Sequence, residues 1–192
     1  ARAHAGGTLS HDGLLPSFYA RERHVADQPT AQEFDILVLG GGSGGYAAAL
    51  RAVQFGLRVG LVEKNKLGGT CLHNGCIPTK ALLHAAELAD HARDSAKYGI
   101  NVSLESIDIN AVNAYKNGVV AGKFKGLTGL IKAKGITVIE GEGRLTAQDT
   151  VTVNGTAYKA KNIILATGSY SRTLPGLELG GRVITSDQAL EL

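Results

Sequence analysis

The sequence predicts an α/β domain, a parallel sheet with helices that carries a small antiparallel β excursion. Three observations predict it. A strand, glycine turn, helix and strand follow one another over about thirty residues from Phe34. Two long stretches of helical period come next, and from Ile136 the period changes to two before a last apolar run.

The first strand is FDILVLG (34–40), a continuous apolar run of the kind found in parallel strands buried on both faces. GGGSGG follows, then YAAALRAVQFG (46–56), a helix ended by Gly56, and RVGLVEK (58–64), a second buried strand. A helix between two parallel strands implies a right-handed crossover. IPTKALLHAAELADHARDSAKYG (77–99) reads as a long helix with Pro78 in its first turn and Gly99 at its end; Leu82, Ala85, Ala86 and Ala89 share one face. A second helix is expected over 108–134, weakened by Gly118, Gly122, Gly126 and Gly129. ITVIEGEGRL (136–145), TVTV (150–153) and TAYKA (156–160) are expected to be short strands divided by turns such as Asn154-Gly155, and NIILATG (162–168) returns to the buried-strand pattern.

Residues 1–33 have turn formers throughout, no regular period and no apolar core of a signal peptide, and Asp12, Glu22 and Asp27 suit a transit peptide badly. They are expected to form a poorly ordered leader, leaving 34–192 as the domain. The chain holds no methionine, so it is expected to be processed or part of something longer.

Of the 192 residues, 44% are hydrophobic and 19% charged, as in an ordinary globular protein, but the 26 glycines are about twice the usual share. Their clustering at Gly40–Gly45, Gly68–Gly69, Gly141–Gly143 and Gly180–Gly181 points to tight turns and backbone close to a ligand. The formal charge is +3, yet Lys and Arg form no run or stripe, which argues against nucleic acid as partner. No apolar run reaches the ~18 residues of a spanning helix, so a soluble protein with a cytoplasmic location and no membrane partner is expected.

Two motifs carry chemistry. In the first, Gly40-x-Gly42-x-x-Gly45 directly follows a strand and opens a helix, and Glu63 closes the next strand 18 residues after Gly45. That context marks a Rossmann-like dinucleotide site. Gly40 permits the turn, Gly42 lets a pyrophosphate approach the backbone, Gly45 lets helix and strand pack closely, and the helix N-terminus offers N–H donors. Glu63 is placed to accept hydrogen bonds from ribose hydroxyls. In the second motif, GGTCLHNGCIPTK (68–80), four residues separate the chain's two cysteines at the entry to a helix. The spacing does not suit zinc, and no metal is expected. A short loop ending on a helix suits a reversible disulfide. Cys76 lies at a helix N-terminus, where the dipole favours thiolate, and Lys80 is four residues on, on the same helix face. His73, between the cysteines, reads as an exposed loop residue, and His84 and His91 as surface or helix-packing residues of the long helix.

The string GGTCLHNGCIPTKALLH resembles the active-site signature of the pyridine nucleotide-disulfide oxidoreductases, and the likeness runs from Phe34 to about Leu190 through EKNKLGGTC and ILATGS. Within that family the chain is most similar to the branch that oxidises dihydrolipoyl groups. The resemblance implies an FAD-binding domain in which Cys71 is the interchange thiol that meets the dithiol substrate. Cys76 is the thiol against the flavin, and Lys80 approaches the flavin N5 region. It also implies that Gly40 to Gly45, with Gly40, Gly42, Ser43 and Gly45 as the contacts, hold the pyrophosphate, that Glu63 holds the ribose, and that Lys64, Gly69 and Thr70 are among the residues that bind the cofactor. Gly143 reaches the adenine end, and Thr167, Gly168 and Ser169 make a second FAD contact. NAD, and the homodimer contact with its partner-supplied acid–base pair, belong to sequence expected after Leu192, so this chain alone is expected to be inactive. The implied partners are the dihydrolipoyl groups of 2-oxo-acid dehydrogenase complexes. His73-Asn74 stands where the family more often has Asn-Val, and Ser171 where it often has proline. Other flavin disulfide reductases, for glutathione, mycothiol or mercuric ion, and a non-catalytic FAD-binding module remain the alternatives.

Overall fold

The computed structural model describes residues 32–192, so the expected leader lies outside the described residues except for Gln32 and Glu33, which open the first strand. In chain order the elements are β1 (Gln32–Leu39), α1 (Ser43–Gln54), β2 (Val59–Glu63), α2 (Gly69–His73), α3 (Cys76–Asp94), α4 (Ile109–Ala133), β3 (Thr137–Glu140), β4 (Gly143–Ala147), β5 (Thr150–Val153), β6 (Thr156–Leu165) and α5 (Ser186–Ala189). A single 3-10 turn, Ser95–Tyr98, extends α3 to Gly99, whose φ of +77° ends it.

The strands form one six-stranded sheet in the order β3-β2-β1-β6-β5-β4. β3, β2, β1 and β6 run parallel, and β5 and β4 are antiparallel additions. The expected α/β class therefore holds, with helices on one face of the parallel part. That face buries Val38 and Leu61 against Ala49 and Ala52 of α1 and Ile131 of α4. The other face buries Leu37, Leu39, Val62 and Ile139 against Val151 and Val153 of β5, so the antiparallel part folds back as a third layer. Leu37 and Leu61 are fully shielded, and each such side chain contributes about 1.5–3 kcal/mol by leaving water. The continuous apolar runs of β1 and β2 reflect this covering on both sides.

Two strand boundaries differ from expectation. TAYKA and NIIL are one strand, β6. Its first residues, Thr156 to Lys159, pair antiparallel with β5, while Tyr158 to Leu165 pair parallel with β1. No turn former interrupts Lys159-Ala160-Lys161, and Lys161 points outward to bond Asp35 of β1 at 2.7 Å, so nothing stops the strand. ITVIEGEGRL, by contrast, is two strands. Gly141, at φ +140°, breaks the run: β3 lies at one edge of the sheet and β4 at the other. Between them the chain passes over the C-terminal ends of β1 and β2, and a Cβ on Gly143 would lie 2.5 Å from Leu39 and 2.8 Å from Val62. Only glycine allows that approach.

Both long helices form as expected. α4 tolerates its four glycines because it is anchored at its ends: the Asp108 side chain accepts from the Asn110 and Ala111 N–H groups at the start, and Ile131 is buried in the core near the end. Lys116, at 1% exposure, donates to the Leu190 carbonyl and to Glu191 at 3.2 Å, and Asn113 donates to the Leu192 carbonyl at 3.0 Å. These bonds fasten the segment after α5 to α4. A capping box at Thr185 and Gln188 starts α5. Among the described residues no helix is long and apolar enough to cross a membrane.

Candidate active site

The strand-to-helix turn after β1 is built from glycines that have no room for a side chain. At Gly40, φ is +108° and a Cβ would sit 2.1 Å from the Ala166 carbonyl oxygen; at Gly45 a Cβ would sit 1.8 Å from the Gly40 carbonyl oxygen. Gly42 differs, because a Cβ there would meet only Gly69, at 3.8 Å. The space it leaves open belongs to the cleft. Gly42 is also the N-cap of α1, so the unpaired N–H groups of that helix face the same opening. Glu63, at the end of β2, accepts from the Gly41 N–H at 2.7 Å with one oxygen and from the Asn65 N–H at 2.8 Å with the other. The carboxylate thus braces the turn and keeps lone pairs for a ligand.

A second glycine loop lies directly on the first. The Gly68 N–H donates to the Gly41 carbonyl at 2.8 Å, Gly42 and Gly68 form a parallel bridge, and a Cβ on Gly69 would be 2.7 Å from the Gly42 Cα. This contact carries the two cysteines to the glycine turn after β1. α2 starts at Gly69 and places Cys71 half-buried in its middle; α3 starts at Cys76, which is exposed. Both are thiols in this structure. The hydrogen bond with the neighbouring Cys76 thiol, reinforced by burial, pushes the Cys71 thiol above its ordinary range, while the Cys76 backbone and the Ser43 hydroxyl act the other way.

One cleft of about 1370 Å³ connects these parts. Gly40, Gly42, Ser43, Glu63, Lys64, Gly69, Thr70, Cys71, Cys76, Gly143, Thr167, Gly168 and Ser169 all line it, so the structure brings together nearly every residue the sequence singled out. Gly45 lies beneath the cleft as a packing residue. Lys80 is exposed one turn along α3 and does not line the cleft.

His73 corrects an expectation. It is the last residue of α2, half-buried, with Nε2 2.9 Å from the Leu67 carbonyl and its ring edge-on to Phe124 of α4 at 5.3 Å. The segment between the cysteines is helical through His73 rather than all loop, which turns this side chain inward. His84 and His91 are exposed on α3, which takes the surface reading over the helix-packing one. Sequence reasoning passed over Asn65 and Glu142, which also line the cleft; Glu142 has its signal in its place between two glycines.

Residues 34–192 match the family described as pyridine nucleotide-disulphide oxidoreductase. The chain belongs to that family. Its relatives include a dihydrolipoyl dehydrogenase of Chlamydia pneumoniae, 45% identical over 84% of this chain, and one of Bacillus subtilis, 44% identical over 84%. A mitochondrial dihydrolipoyl dehydrogenase of Pisum sativum is 38% identical over the whole chain. The matched parts are 36%, 37% and 40% of those relatives' lengths, so the chain spans well under half of each. In this member of the pyridine nucleotide-disulphide oxidoreductases, the two glycine loops and both cysteines fall inside the matched residues.

Proposed function

We propose that this chain is the FAD-binding, redox-disulfide part of a dihydrolipoyl dehydrogenase, an enzyme that oxidises dihydrolipoyl groups and passes the electrons to NAD. The observation that carries the reading is the seating of the Gly68–Gly69 loop on Gly41 and Gly42, which puts a dithiol and a dinucleotide turn in one cleft.

The residues present fit FAD. The cleft exceeds the about 300–1,000 Å³ common for smaller ligands, as an elongated dinucleotide requires, and the open side of Gly42 is a cradle that any Cβ would fill. Gly40, Gly42, Ser43 and Gly45 would hold the pyrophosphate at the α1 N-terminus, with Glu63 and Lys64 at the ribose and Gly143 beside the adenine. Thr167 to Ser169 would line the far side, and Gly69 and Thr70 the approach to the ring. When bound, FAD supplies a two-electron acceptor between the protein dithiol and NAD.

The protein's own chemistry is thiol–disulfide exchange. With Cys71 and Cys76 oxidised, a substrate thiolate attacks the Cys71 sulfur, the Cys71–Cys76 bond breaks, and Cys76 leaves as thiolate. The second substrate thiolate then attacks the substrate sulfur of that mixed disulfide and releases Cys71. The substrate becomes a cyclic disulfide, and the protein pair gains two electrons. In the reduced pair the neighbouring Cys76 thiol, reinforced by burial, raises the Cys71 pKa above its ordinary range. Lys80, one turn beyond Cys76 on α3 and outside the cleft lining, would offset negative charge at the flavin end from that distance. NAD and the contacts of a homodimer would be supplied by further sequence of the full-length enzyme, which would act on the lipoyl groups of 2-oxo-acid dehydrogenase complexes.

The test is an assay of the full-length protein loaded with FAD. Dihydrolipoamide should reduce NAD at a rate at least a hundredfold above that supported by glutathione as the thiol donor, and Cys71→Ser should abolish it. Equal or better use of glutathione, or activity that survives Cys71→Ser, would contradict the reading.

A further inference from the structure

We propose that His73 is a positioning residue for the redox pair, setting the balance between dithiol and disulfide by holding α2 in place. The inference rests on the redox role of Cys71 and Cys76 given above.

The two cysteines stand on different elements, Cys71 within α2 and Cys76 at the start of α3. Their separation therefore depends on how firmly the short helix α2 is fixed. Five residues of helix cannot hold themselves, since a single turn gains too few internal bonds to offset the entropy of ordering it. The N-terminal end of α2 is fixed by backbone: Gly68 bonds Gly41, and Gly69 presses on Gly42. Leu72 is buried against Gly68. The C-terminal end is fixed by His73. Because its Nε2 faces the Leu67 carbonyl, a pure acceptor, Nε2 carries the proton and donates. The ring edge meets Phe124, so the same side chain ties α2 both to the preceding loop and to α4. Among the described residues, the other side-chain hydrogen bond from between the cysteines is an exposed contact from Asn74 to Asp187 at 3.4 Å, too long to hold the turn.

This tether acts on the equilibrium through effective concentration. The reaction is Cys71-SH plus Cys76-SH plus a disulfide reagent, giving the Cys71–Cys76 bond and two reagent thiols; two electrons and two protons leave the protein pair and reduce the reagent. The closer the thiols are held, the more the intramolecular disulfide is favoured. The structure already brings the two elements close: a Cβ on Gly75, the residue before Cys76, would lie 3.2 Å from the Cys71 Cα, and both cysteines line one cleft. Freeing the C-terminal end of α2 lets them separate and should weaken the disulfide.

The experiment equilibrates the full-length protein with oxidised and reduced dithiothreitol at pH 8 and quantifies the Cys71–Cys76 state by thiol alkylation. His73→Phe keeps an aromatic ring against Phe124 but removes the donor; His73→Gln restores an N–H at the reach of Nε2. His73→Phe should lower the dithiol-to-disulfide equilibrium constant at least fivefold, and His73→Gln should stay within about twofold of the wild type. An unchanged constant in His73→Phe would overturn the proposal. So would a His73→Gln shift as large as that of His73→Phe, which would reduce His73 to packing. If His73→Phe fails to fold, His73→Gln alone decides: a constant more than fivefold below the wild type contradicts the tether. A wild-type pair that forms no disulfide at any reagent ratio would instead overturn the redox function itself.

Discussion

Glycines occur in two regions of this molecule under opposite conditions. Around the cleft, Gly40, Gly45 and Gly69 are in contact with other backbone, and a Cβ at any of them would lie under 3 Å from a backbone atom. Along α4, Gly118, Gly122, Gly126 and Gly129 have nothing within 4 Å of the place a Cβ would occupy. The comparison teaches that glycine abundance marks a ligand site only where the absence of a side chain is used. In the first region it brings two loops and a helix end together. In the second it weakens the helix and lets no other part of the domain come closer.

The sharpest way to break this comparison is Gly45→Ala. A methyl group 1.8 Å from a backbone oxygen cannot be accommodated by rotamer change, so the turn must shift; the expected loss is about 3 kcal/mol or more in urea unfolding, together with at least a tenfold loss of FAD affinity. Full stability and unchanged FAD binding would show that the turn is not tightly packed. Cys76→Ala probes the same cleft by titration. The Cys71 thiol loses the neighbour that chiefly raises its pKa, so the pH profile of Cys71 alkylation should move to lower pH. A profile that stays in place would remove the pairing.

In the other region the sign reverses. Gly122→Ala or Gly126→Ala should stabilise the domain by about 0.5–1 kcal/mol, read as a higher urea midpoint with an unchanged slope. Destabilisation would mean that this face of α4 is covered by something else in the folded protein. The smallest effect expected lies away from both regions. Asp35 is held below the usual carboxylate range by its hydrogen bond from Lys161 and by the Arg58 backbone N–H. Its folded-state pKa is depressed, so its contribution is present above the unfolded value of about 3.9 and is lost as pH falls through the folded one. Asp35→Asn should therefore narrow the stability gap between pH 6 and pH 3, measured by thermal unfolding.

Much of the fold was legible because periodicity and burial agree. The cores of FDILVLG and RVGLVEK, residues 36–39 and 59–62, are apolar throughout and lie between two packed layers, and the motif residues around them reach one cleft. What stayed hidden depended on contacts across the chain. The continuity of β6 is set by its pairing with β5 on one side and β1 on the other, which no local pattern records. The break at Gly141 could be read as a glycine but not as a passage from one edge of the sheet to the other. His73 looked like a loop residue because its anchors, Leu67 and Phe124, lie outside the motif; Phe124 is 51 positions away. Buried Lys116 had no signal at all in a helix dotted with charges, since its partners are a main-chain carbonyl and Glu191 at the far end of the chain.

The central claim is that the dinucleotide turn and the Cys71–Cys76 pair serve one cleft. Stepwise dithionite reduction of the FAD-loaded full-length protein tests it most directly. Uptake of two electrons should produce a long-wavelength absorbance band from thiolate against oxidised flavin, and Cys76→Ser should lack it. Bleaching of the flavin by the first two electrons, with the Cys71–Cys76 disulfide still intact and wild type matching Cys76→Ser, would contradict the account.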